Sequence, residues 1–121
     1  MSGNAQRGEV VYVRREGLPT YAGGDTDRRW VVVQSDVFHQ SVQTIVVKIT
    51  STPQHSLKGV QIPDGEAGLK NSWVDCNTIA TVRHEFIDRD KKRPHLRDLT
   101  TMNKVARALR YVLDMQCGDE E

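Results

Sequence analysis

Two short stretches hold most of the residue types that could do chemistry. Arg28 and Arg29 stand side by side ahead of one apolar run, and Thr50 and Ser51 follow another. A guanidinium is planar and permanently charged, and it forks onto two oxygens of a phosphate or carboxylate. Neighbours along a strand point to opposite faces, so Arg28 and Arg29 cannot both serve one face of a strand. The hydroxyls of Thr50 and Ser51 can donate to an anion or bond their own turn. His39 and His55 are the natural proton carriers near neutral pH. Tyr21, close to the Gly23-Gly24 pair, offers a stacking ring beside a hinge, and Trp73 offers a second ring. Asn77 offers an amide that can bond a ligand or satisfy a turn. Read one at a time, these residues have plainer explanations: solvated loop arginines, a strand-end threonine, surface histidines, a tryptophan in the core.

The elements that must position them are readable from pattern. Residues 8–14 (GEVVYVR) are β-branched and aromatic and predict a strand. Residues 15–27 hold three glycines and a proline and predict a loop of about a dozen residues, a length that is often functional. Residues 30–34 (WVVVQ) form a continuous apolar run that suits a strand covered on both faces. Ser35 then caps a possible single helical turn. Residues 44–49 predict a third strand, 59–62 a short fourth one ended by Pro63 and the Asp64-Gly65 turn, and 72–76 with 78–82 one or two more. Residues 88–97 read as charged and turn-like. Met102, Val105, Ala106, Leu109, Val112 and Leu113 share one face of a helix, with Thr100 or Thr101 as N-cap and Gly118 as its stop. The expected class is mainly β with a terminal helix (α+β), a small curved antiparallel sheet or barrel with the helix packed at one end.

Composition bounds the rest. The chain has 121 residues, which is one domain's worth. Lys+Arg number 17 against 16 Asp+Glu, a net charge of +1, which argues against a polybasic nucleic-acid binder but leaves room for a local patch. Residues 83–110 carry such an excess, nine Lys/Arg against four Asp/Glu. That excess can collect phosphates by counterion release, or it is a solvated helix face and loop. No apolar run approaches the ~18 residues that span a bilayer, and residues 1–7 have no apolar core of a secretory signal. Cys76 and Cys117 form no C-x-x-C pair, and His39, His55, His84 and His95 have no metal-binding spacing. The expectation is a reduced, cytoplasmic protein with no metal and no cofactor.

The ordered set of motifs resembles the MazF/PemK family of toxin–antitoxin endoribonucleases. Arg7-Gly8-Glu9-Val10-Val11 is similar to that family's opening R-G-[DE]-hydrophobic strand. Arg28-Arg29-Trp30-Val31-Val32-Val33-Gln34-Ser35-Asp36 follows its R-P-hydrophobic-run-Q-x-D, with Arg29 where the family has Pro. Residues 44–51 resemble its strand ending in a Thr-Ser step. Residues 72–82 resemble its S-x-V-x-x-x-x-I-R-T strand, with Ala80 in place of the arginine and Asn77 near the place of an acidic residue. The likeness implies a single domain over 7–115 with 1–6 and 116–121 as flexible tails, an SH3-like barrel and a homodimer. It also implies cleavage of single-stranded RNA without metal, in which the RNA's own 2′-hydroxyl attacks to leave a 2′,3′-cyclic phosphate and a 5′-hydroxyl.

Carried over residue by residue, the resemblance makes Arg28 and Thr50 catalytic. Tyr21, Gly24, Arg29, Ser51 and Asn77 are then RNA-binding. The partners it implies are single-stranded RNA and a cognate MazE-like antitoxin protein. Two alternatives stand beside it. One is a non-catalytic binding module on the same fold, motivated by Ala80 and Asn77. The other is a CcdB-like gyrase poison, which depends on a Trp near the C-terminus that residues 115–121 lack.

Overall fold

The computed structural model describes residues 4–18, 29–38, 40–54 and 57–113. Six strands form one antiparallel sheet: β1 (Val10–Val13), β2 (Arg29–Val32), β3 (Gln43–Thr50), β4 (Gly59–Ile62), β5 (Ser72–Arg83) and β6 (Ile87–Arg89). A single helix, α1 (Leu99–Val112), follows. The strand order is β4-β5-β3-β2-β1-β6, so β4 and β6 are the edges. This is the expected class, a mainly antiparallel β domain with one C-terminal helix.

Alternation along the strands gives the sheet two buried faces. Val10, Val31, Val47, Ile49, Val60 and Val74 face one core, which α1 closes with Met102, Val105 and Ala108. Val11, Val13, Trp30, Val32, Val46, Ala80 and Val82 face the other. The uninterrupted Trp-Val-Val-Val run follows from this, since each residue in it meets one core or the other. Ala80, where the resemblance expects an arginine, is buried opposite Val46. Ala5 is buried in the second core too, so the segment expected as a flexible tail is packed down at that residue.

Three expectations need correction. The helix is capped not by Thr100 or Thr101 but by Asp98, whose Oδ1 accepts the Thr100 N–H at 2.9 Å. Its buried face is Thr101, Met102, Val105 and Ala108, while Leu113 stands 54% exposed. Residues 88 and 89, expected in a charged turn-like stretch, join Ile87 in β6 against β1, with Tyr12 opposite Asp88. Of the one or two late strands expected over 72–82 the sheet has one, β5, with a register shift in its middle. Val47 pairs with Ile79 but its neighbour Lys48 pairs with Asp75, which leaves Cys76, Asn77 and Thr78 as extra residues in a bulge. Gly118 lies outside the described residues.

The opening Arg7-Gly8-Glu9 is a structural staple. The Arg7 guanidinium donates to the Val33 carbonyl, and its amide donates to Asp36 Oδ1 at 2.8 Å. Gly8 takes a φ of +89°, and a Cβ there would meet the Leu96 carbonyl. Glu9 is fully buried and accepts two bonds of 2.7 Å from the Arg89 guanidinium.

Candidate functional site

β2 and β3 run antiparallel, so the start of β2 and the end of β3 lie at the same end of the pair. Thr50 closes β3 at that end and Arg29 opens β2. Facing the same end across β3 and β5 are two direct pairs, Lys48 opposite Asp75 and Thr50 opposite Trp73. Lys48 also faces Trp30, and Trp73 also faces Gln61 of β4. Directly opposed residues project from one face, so a cation, a hydroxyl, a carboxylate and an indole share one end of this sheet face.

Thr50 is nearly buried, and its Oγ1 accepts the Thr52 N–H at 3.2 Å. The strand-end turn therefore fixes the oxygen, and accepting that bond leaves the hydroxyl proton able to donate. Ser51, beside it, is exposed in the same bend.

Asp75 is held by the bulge. Its Oδ2 accepts the Thr78 hydroxyl at 2.7 Å and its Oδ1 accepts the Asn77 N–H at 3.0 Å. Both oxygens are thus occupied in shaping the bulge. Asn77 is pinned there by its backbone, and the residue is exposed at the crest. Bulges of this kind re-aim side chains beside sites. Cys76, next to them, is buried and its thiol is pushed up from 9.0 to about 12, by burial first and then by the Asp75 charge. A thiol held that firmly protonated is no nucleophile.

Arg29 goes elsewhere. It is Tyr12's direct partner across β1 and β2, its Nε donates to the Tyr12 hydroxyl at 3.1 Å, and its guanidinium lies 5.6 Å from that ring's centroid. Alternation places it on the face of Val31, opposite the one shared by Trp30, Lys48 and Thr50. The structure thus separates Arg29 from Thr50 while bringing Thr50 next to Lys48, Trp73 and Asp75. Arg28, Tyr21, Gly24, His39 and His55 lie outside the described residues. Lys48 and Asp75 escaped the sequence reading, because their apposition depends on the bulge. The only signal for it was the polar break Asp75-Cys76-Asn77-Thr78 within an otherwise strand-like segment.

The family model for the PemK-like, MazF-like toxin of type II toxin–antitoxin systems matches residues 6–113. No curated protein sequence matches. Solved structures with similar folds include an endoribonuclease from Mycobacterial species, at 19% identity and a TM-score of 0.75, covering 98% of this chain and 100% of that one. A second is an endoribonuclease in complex with its cognate antitoxin from Mycobacterial species, at 19% identity and a TM-score of 0.71, covering 93% and 98%. A third is MazE-MazF from Deinococcus radiodurans, at 13% identity and a TM-score of 0.70, covering 95% and 100%. Similarity at these identities speaks to the fold, whereas the family model spans nearly all of the chain's own sequence. This chain belongs to the family of PemK-like, MazF-like toxins of type II toxin–antitoxin systems.

Proposed function

We propose that this toxin is an endoribonuclease that cuts single-stranded RNA at the end of the sheet where Thr50 sits, by attack of the RNA's own 2′-hydroxyl. The observation that carries the reading is the placement of Thr50 and Lys48 on one face beside the start of β2, to whose first residue Arg28 is directly bonded in sequence. A tethered nucleophile needs no activated water, so positioning and charge stabilisation supply most of the barrier reduction. Arg28 clamps the phosphorane oxygens with its fork, Thr50 donates to one of them, and Lys48 adds a second positive charge. Tyr21, Gly24, Ser51 and Asn77 contact the flanking RNA. The bond between phosphorus and the 5′-oxygen breaks as the 2′-oxygen bond forms, which leaves a 2′,3′-cyclic phosphate and a 5′-hydroxyl.

The domain spans 7–115, acts in the cytoplasm as a homodimer and is silenced by a MazE-like antitoxin. Val37, Phe38 and Val42 on the β2–β3 connection, with Leu99 and Leu113 on the helix, are large apolar side chains exposed on this single chain. They offer surface for a second copy or an antitoxin to cover.

The test is purified protein with a long RNA in EDTA, read by sequencing of 5′-hydroxyl ends. Cleavage at short recurring sequences with cyclic-phosphate ends is the expected result. Arg28→Ala and Thr50→Ala each lower the rate by about 10²-fold or more. Intact RNA with the wild-type toxin overturns the proposal, and growth arrest with RNA intact but supercoiling lost points instead to a gyrase poison.

A further inference from the structure

Beside the Thr50 row lies a cleft of roughly 390 Å³ between β4, β5 and α1, lined in part by Leu57, Gln61, Trp73, Lys104, Arg107 and Tyr111. The reading above leaves it unused. It is joined to the candidate site by register: Thr50 faces Trp73 across β3 and β5, and Trp73 faces Gln61 across β4 and β5. Opposed side chains of this kind stand about 5 Å apart at Cβ. The cleft therefore begins roughly one side chain from the hydroxyl.

Its chemistry is distinctive. Trp73 is half-buried and Tyr111 is 63% exposed, so both present ring surface. Lys104 and Arg107 are exposed three residues apart on α1, a spacing that sets their charges side by side. Gln61 adds an exposed amide, and the described lining contains no carboxylate. Ring faces with fixed cations and an amide suit an unpaired nucleotide, whose base stacks while its phosphate pairs. A cleft of this volume takes a flanking nucleotide rather than a folded domain.

We propose that this cleft is a second RNA subsite, which holds nucleotides flanking the cut phosphodiester by stacking on Trp73 and Tyr111 and by pairing their phosphates with Lys104 and Arg107. The proposal rests on the endoribonuclease reading and extends it. Contacts away from the cut raise affinity for long chains and add preference for bases beyond the cut itself.

The test compares wild type with the Lys104→Ala/Arg107→Ala double variant and with Tyr111→Ala, all at exposed positions that the fold tolerates. Three readouts are taken: cleavage kinetics on long single-stranded RNA, anisotropy binding to fully 2′-O-methylated RNA that no 2′-attack can cut, and the map of 5′-hydroxyl ends. We expect KM to rise about tenfold in each variant, with the loss in KM rather than kcat. For the double variant the slope of log affinity against log salt becomes shallower by about 1.4, two phosphates at ~0.7 each. The base preference flanking the cut flattens. If wild type cuts RNA and the variants keep its KM, salt slope and end map, the subsite is overturned while the nuclease reading stands. If wild type cuts nothing, the nuclease reading fails and the subsite falls with it. If RNA handling is unchanged while antitoxin binding or the mass by light scattering changes, the cleft belongs to a protein contact and the proposal is wrong.

Discussion

At the scale of single residues, Thr50 at the end of β3 and Cys76 in the β5 bulge are two reactive groups treated in opposite ways. The Thr50 oxygen is fixed by its turn near the surface, whereas the Cys76 thiol points inward, 4.0 Å from the Val105 carbonyl oxygen. Burial, with the Asp75 charge adding to it, raises that thiol from 9.0 to about 12. Unfolding releases it to ionise from about pH 9, so the unfolded chain binds fewer protons than the folded one above that pH. The stability tied to this group is therefore fully present below pH 9 and is lost as pH rises toward 12. Urea midpoints measured across that window should fall more steeply for wild type than for Cys76→Ala, although the variant starts lower because of the cavity it leaves. Native protein at pH 8 should leave Cys76 unmodified by a thiol reagent that labels it after denaturation.

At the scale of elements, the helix start is a joint between two parts of the chain. Asp98 accepts from Thr100 N–H and from the Thr101 hydroxyl, while its own N–H donates to Glu66 Oε2 at 2.8 Å. Asp98→Ala should cost about 1 kcal/mol in urea unfolding, with the helix retained by circular dichroism. The same joint shows what pattern can and cannot reveal. The periodic apolar face located α1, but choosing the cap among Asp98, Thr100 and Thr101 required the backbone geometry. Residues 59–62 were legible to the residue because Pro63 and the Asp64-Gly65 turn bound them. Residues 87–89 were not, since a three-residue strand with two charged members owes its pairing to β1 rather than to its own sequence. Thr50 became a candidate through resemblance. Lys48 and Asp75 did not, because their apposition is made by the bulge. Arg29 is the competing register to Arg28 in the sequence, and β2's alternation pairs it with Tyr12 instead.

At the scale of the molecule, the motif residues that carry the resemblance turn out mostly to hold the fold. Gln34 donates to the carbonyls of Phe38 and Gln43, Asp36 receives the Arg7 amide, and Glu9 grips Arg89 across 80 residues of chain. That last pair ties β1 to the edge strand β6 inside the structure. Glu9→Ala removes both carboxylate bonds from the largely buried Arg89 guanidinium and should lower stability by about 3 kcal/mol, read from urea unfolding. Glu9 lies far along the sheet from Thr50, so the deficit should appear in the unfolding midpoint, and kcat measured well below that midpoint should hold.

The bulge at 76–78 has a consequence for how β5 tolerates change in length. Ahead of it Val74 meets the helix-side core, as Cys76 does at its first position, and beyond it Ala80 and Val82 meet the opposite core. The strand thus has a phase, and the three extra residues set it. Deleting one of them would turn the far half inside out, sending Ala80 and Val82 to the wrong layer, whereas deleting two would preserve it. Drift in this segment is confined to even steps, much as a coding sequence is confined to triplets.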